Sequence, residues 1–123
     1  MKNISLLMFM LVLFFHSGIY AQSPLKAIVA GKNAGKITAK ELLAAEKITV
    51  ANDSSWHITS YRFSAYAKNR DPTLFDSNNE MLKSEIKKVI PTLPAGTKIY
   101  FEYIKAKNHD STSMVSPISF TLK

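Results

Sequence analysis

The chain has no cysteine among its 123 residues. That excludes disulfide staples, thiol nucleophiles, thiolate metal centres and a lipid-modified cysteine anchor. Histidine is scarce at three residues, and acids number only nine against sixteen lysines and arginines. A metal site or a two-carboxylate catalytic cleft therefore has few side chains to draw on. With four glycines and five prolines the sequence has no repeat and no low-complexity tract. Long apolar runs are also missing: the one candidate, Ile4 to Phe15, is about 12 residues, short of the roughly 20 that span a bilayer.

That run follows Met1-Lys2-Asn3 and precedes His16-Ser17-Gly18 and then Ile19-Tyr20-Ala21. A basic start, a short apolar core and a small residue before a polar Gln22-Ser23-Pro24 describe an export leader over residues 1–21, cut after Ala21. An uncleaved membrane anchor is the alternative reading of the same run. Residues 22–123 are then one exported domain, periplasmic or extracellular, with no integral membrane span. It is long enough to form one hydrophobic core.

Loss of Lys2 lowers the formal charge of +7 by one. The remaining excess of lysine is scattered, with no run longer than two, which describes a solvated basic surface. Export also removes the chain from nucleic acid, so none is expected as a partner.

Strand signals dominate the exported part. Leu25 to Gly31 reads as a first strand, and Gly31 to Lys36 as a glycine turn. Thr38 and Glu41 have capping-box spacing ahead of Leu42-Leu43-Ala44-Ala45, a short helix. Ile48 to Ala51 is a brief strand. Trp56 to Lys68 is a long one, whose apolar character changes face partway along, as expected of a strand that bends or bulges between two sheets. A second helix is expected from a capping box at Ser77 and Glu80, with Leu82, Ile86 and Val89 on one stripe and Pro91 ending it. Lys98 to Lys107 places Ile99, Phe101 and Tyr103 on one face and Tyr100, Glu102 and Ile104 on the other. Asn108 to Ser113 reads as a polar loop, and Ser116 to Lys123 alternates cleanly as the last strand. The expected fold is mainly β, an immunoglobulin-like β-sandwich with one or two short helices in the connections.

No catalytic pattern stands out in the sequence. Gly31-Lys32-Asn33-Ala34-Gly35-Lys36 has too few residues between its glycines for a phosphate loop, and Ile37 stands where a magnesium-binding hydroxyl belongs. His57 and His109 have no ligand spacing. Ser54, Ser55 and His57 are sequence neighbours that a strand would point to different faces. Glu102 is the one acid set within an aromatic strand, and the plain reading is an outward residue paired with a lysine. No enzyme, cofactor or metal is expected. The aromatics Trp56, Tyr61, Phe63, Tyr66, Tyr100, Phe101 and Tyr103 are expected mostly in the core. An exposed pair would make a sugar platform or a protein hot spot. The basic helix residues Lys83, Lys87 and Lys88 are candidates for an acidic partner's footprint, or else a solvated face.

Six pieces in order resemble the C-terminal, last periplasmic domain of the GldM gliding-motility and type IX secretion family. They are Ala27 to Lys32 with Gly35-Lys36-Ile37, Glu41 to Ala45, Ile48 to Val50, Tyr61 to Ala65, Pro94 to Lys107, and Ser116 to Lys123. The resemblance implies a periplasmic immunoglobulin-like sandwich without catalytic residues. It also implies a place in the secretion and gliding machinery, touching an outer-membrane ring. A leader stands where the family has an anchoring helix and earlier periplasmic domains, so docking rather than force transmission is the expected role. A secreted glycan-binding or adhesin-like module is the alternative; exposed Trp56 beside a tyrosine would favour it, and a flat apolar face would favour protein binding.

Overall fold

The computed structural model describes residues 25–123; the expected leader lies outside the described residues. Eight strands and two short helices follow in order: β1 Ala27–Ile28, β2 Ala34–Ile37, α1 Ala39–Ala44, β3 Thr49–Val50, β4 His57–Tyr66, β5 Thr73–Ser77, α2 Ser84–Val89, β6 Lys98–Asn108, β7 Ser111–Val115 and β8 Ile118–Leu122. A 3-10 turn, Ile90–Thr92, extends α2. The chain is mainly β, in a sandwich-like arrangement with two short helices.

The main sheet has six strands in the order β2-β8-β6-β4-β5, with β7 also on β6. β8 takes the first half of one edge of β6 and β7 the second half, while β4 runs along the other edge. The β8-β6-β4-β5 order is that of the G-F-C-C′ sheet of an immunoglobulin-like sandwich. β2 joins β8 in parallel, and β1 and β3 form a separate antiparallel pair.

One face of the main sheet is the core. Phe63, Phe101 and Phe120 are fully buried on three adjacent strands, with Phe63–Phe101 and Phe101–Phe120 ring contacts of 5.5 and 6.4 Å, both edge-to-face. The second layer supplies Ala27 and Val50 from the β1–β3 pair, Leu42 from α1 and Ile86 from α2, all in the same cluster. Thr38 caps α1 as expected: its Oγ1 accepts the Glu41 N–H at 3.0 Å, and Glu41 Oε1 accepts the Thr38 N–H at 2.9 Å. Between β1 and β2, Val29 and Lys32 exchange 2.9 Å backbone hydrogen bonds around Ala30 and Gly31. Both central residues have positive φ (54° and 77°), which glycine meets without strain.

Several expectations are corrected. Ser77 ends β5 rather than capping a helix: Ile48 N–H donates to the Glu80 carbonyl and Leu82 N–H to that of Glu46, so this segment is held extended. The helix begins only after Lys83, which caps it without a side-chain bond. β2 begins inside the expected glycine turn and runs on to Ile37, and β7 begins inside the expected loop at Ser111 and runs on to Val115. The expected bulge in β4 is present. β6 carries one extra residue between the Arg62↔Glu102 and Ser60↔Lys105 pairs, and β4 one extra between Ser60↔Lys105 and Ile58↔Ala106. The first shift turns Tyr103 outward at φ 52° and puts Ile104 in the core, reversing the expected sides of those two residues.

Candidate functional site

Among the described residues the two largely exposed aromatic side chains, Tyr66 and Tyr103, both stand on the outward side of the main sheet. Alternation drives it: Tyr61, Phe63 and Ala65 point into the core, so Arg62, Ser64 and Tyr66 point out. On β6, Ile99 and Phe101 point in and Tyr100 and Glu102 point out. Register does the rest by setting Ser64 opposite Tyr100 and Arg62 opposite Glu102. On β5, Leu74 and Asp76 lie opposite Ser64 and Arg62. Tyr66, Leu74 and Tyr103 are 44%, 51% and 65% exposed, and no described element covers them.

Two constellations sit on this face. In the first, the Tyr66 and Tyr100 rings meet at 5.7 Å and 72°, and with Glu102 they line a shallow cleft of about 380 Å³. Ser64 Oγ donates to Glu102 Oε2 at 2.6 Å. The expected lysine partner of Glu102 is not there; a buried serine takes its place. In the second, Arg62 Nε donates to Asp76 Oδ1 at 2.8 Å while the guanidinium lies 5.5 Å from the Tyr103 ring centroid. The hydrogen bond from Arg62 holds the Asp76 carboxyl below its ordinary range, and the same bond raises the Arg62 pKa. A cavity of about 390 Å³ opens beside this pair, lined also by Ser60, Tyr61 and Lys105.

The candidate lysines lie elsewhere. Lys83 Nζ donates to the Asp76 carbonyl oxygen at 2.7 Å, which ties the start of α2 to β5. Lys87 is half-buried in the last turn of α2 and Lys88 is exposed beside it. Glu85 stands among them, its carboxyl held below the usual range by its own backbone N–H and then by the charge of Lys83. The three lysines thus stand at opposite ends of α2, Lys83 at its start and Lys87 and Lys88 in its last turn, without converging on one point.

Trp56 is half-buried against the core and helps to line a third cavity, of about 520 Å³, with His57, Asp53 and Lys47. Asp53 is engaged by its own loop, accepting from Ser55 Oγ at 2.6 Å and from the Ser55 N–H at 3.1 Å. Among the described residues no three of His, Cys, Asp or Glu are grouped so as to hold a metal ion, and no helix is long and apolar enough to cross a membrane.

The alternation that places Tyr66, Tyr100 and Glu102 on the outward side is legible in the sequence. Their meeting in one cleft depends on cross-strand register, and the sequence carries no mark of it. No protein-family model matches the chain, and no curated protein matches it.

Proposed function

We propose that this chain is a non-catalytic docking domain of the cell envelope, exported to the periplasm or cell surface, that binds another protein through the outward face of its main sheet. The observation that carries this reading is the set of exposed side chains on that face: Tyr66, Leu74 and Tyr103, with Tyr100 beneath them. Tyrosines supply large contact area at little entropic cost and recur at the centres of protein interfaces. Trp56, whose exposure would favour a sugar platform, is half-buried and packs against the core. The resemblance to the last GldM domain supports an outer-membrane secretion ring as the partner, with the chain as an accessory of that machinery. Lys83, Lys87 and Lys88, on α2 in the second layer, would then lie off this contact and act only as a longer-range pull on an acidic surface.

The test is position-specific photo-cross-linking in source cells. A photo-reactive residue at Tyr66 or Leu74 should capture an outer-membrane ring component that the same probe at Lys40, an exposed position on α1, does not. Capture of no envelope protein from the sheet face, or equal capture from both positions, would refute the reading.

A further inference from the structure

We infer that the cleft formed by Tyr66, Tyr100 and Glu102 is a socket for one basic side chain, a lysine ammonium or arginine guanidinium, presented by the partner protein. The inference deepens the docking role proposed above and rests on it. Tyr66 and Tyr100 stand nearly perpendicular, at 72° with centroids 5.7 Å apart, and so form two walls of a corner. A π face in such a wall attracts a cation through the ring quadrupole. Glu102 forms the third wall and supplies the countercharge.

Glu102 is placed to act on a ligand. One carboxylate oxygen accepts from Ser64, which is fully buried and fixes the group's orientation. Among the described residues Glu102 forms no ion pair. Its cross-strand neighbour Arg62 is the obvious internal cation, yet the Arg62 guanidinium is turned to Asp76 and the Tyr103 ring. Lys98, opposite Tyr66, is also turned away, its Nζ donating to Thr121 Oγ1 at 2.9 Å. Both nearby cations thus make their direct contacts elsewhere, and although the Arg62 charge reaches Glu102, neither cation pairs with the acid beside Tyr100.

The chain's formal charge of +7 does not oppose this. At physiological salt the Debye length is about 8 Å, so the cleft responds mainly to Glu102, to the Arg62–Asp76 pair, which is neutral in sum, and to Lys98, whose charge the neutral Thr121 hydroxyl does not cancel. The scattered lysines outside it repel a uniformly basic partner. The occupant that fits is one basic anchor residue on an otherwise neutral or acidic surface. The cleft volume, about 380 Å³, exceeds a single side chain and leaves room for its aliphatic stem along the rings.

The test is a titration of the ¹⁵N-labelled chain at constant ionic strength with Nα-acetyl-lysine amide and Nα-acetyl-arginine amide, to about 50 mM because single-residue binding is expected in the millimolar range. Nα-acetyl-norleucine amide is the neutral control. Both cationic probes should move the resonances of Tyr66, Tyr100 and Glu102 while norleucine does not. Glu102→Gln, which keeps an acceptor for Ser64, should weaken them at least about fivefold, and Tyr66→Ala comparably. Equal response to norleucine, or no response to either cation, would overturn the socket while the cross-linking result still decides the docking role. Chitotriose moving the same resonances without a lysine response would overturn both readings in favour of a glycan site.

Discussion

Ser64 is fully buried although it stands on the outward side of the sheet, and its hydroxyl donates to Glu102 across 2.6 Å. Its register neighbours are Tyr100 on one side and Leu74 on the other, so a small residue lies at the bottom of a pit between larger ones. The bond couples the floor of the cleft to its acid. Ser64→Ala should therefore lower stability by about 1 kcal/mol in urea unfolding, the usual net worth of one hydrogen bond when its partner can return to water. The same variant should broaden the Glu102 side-chain resonances. An unchanged urea midpoint with an unchanged Glu102 signal would show that the bond is not populated.

Tyr103 holds a backbone conformation that bulky residues rarely adopt, with φ at 52°. A bulge imposes it, and the outcome is a ring exposed over Arg62. Comparing Tyr103→Gly with Tyr103→Ala isolates the backbone cost, since both remove the ring. The glycine variant should be the more stable of the two by about 1 kcal/mol, as the left-handed region is open to glycine and strained for alanine. Equal stabilities in urea would mean the bulge relaxes once the ring is gone. Strain kept in a wild-type protein to display a side chain is what a binding face requires.

How far the sequence could be read follows from where each element's specification lies. Elements specified locally are visible: the Thr38–Glu41 capping box, the alternation of Ile118, Phe120 and Leu122, and the bulge in β4 inferred from a change of apolar face. Elements specified by neighbours are not. β5 has adjacent Leu74 and Phe75 on opposite faces, one exposed and one packed against the core, so it shows no alternation. β7 buries only Val115. The Ser77–Glu80 signal is a sound helix start that tertiary pairing with Glu46 and Ile48 overrides. The candidate cleft divides the same way. Alternation gives the side on which Tyr66, Tyr100 and Glu102 stand, whereas their convergence needs the cross-strand register of β4 on β6.

Phe101 is the hub of the aromatic core, in contact with Tyr61 at 5.8 Å and with Phe63 and Phe120 on the flanking strands. All three phenylalanines are fully buried and close-packed. Phe101→Ala should cost about 3–5 kcal/mol, a large part of the roughly 5–15 kcal/mol that holds a domain of this size together. Chemical denaturation should show this as a fall in midpoint with little change in slope. Phe101→Leu should recover more than half of the loss, because it refills most of the volume. A cost below about 1 kcal/mol for the alanine variant would contradict a close-packed core at this position.

Glu41 should make the fold sensitive to acid. Its carboxyl is held down to about 2 first by the Thr38 backbone N–H and next by the Lys32 side chain, whose Nζ lies 3.0 Å from Oε2. Because the folded value is below the ordinary glutamate value of 4.5, folding favours the charged form. The stabilisation is present above that ordinary range and is lost as pH falls from it toward about 2. Asp76 and Glu85 are displaced in the same direction, so part of the acid loss belongs to them. Glu41→Gln separates the contributions. Its side-chain carbonyl can still accept from Thr38 but cannot titrate, so its stability should fall less steeply than that of wild type between pH 4.5 and 2. A direct NMR titration of the Glu41 carboxyl should give a midpoint near 2. A midpoint in the ordinary glutamate range, with parallel stability curves for the two proteins, would mean that α1 is not held in solution by this capping box.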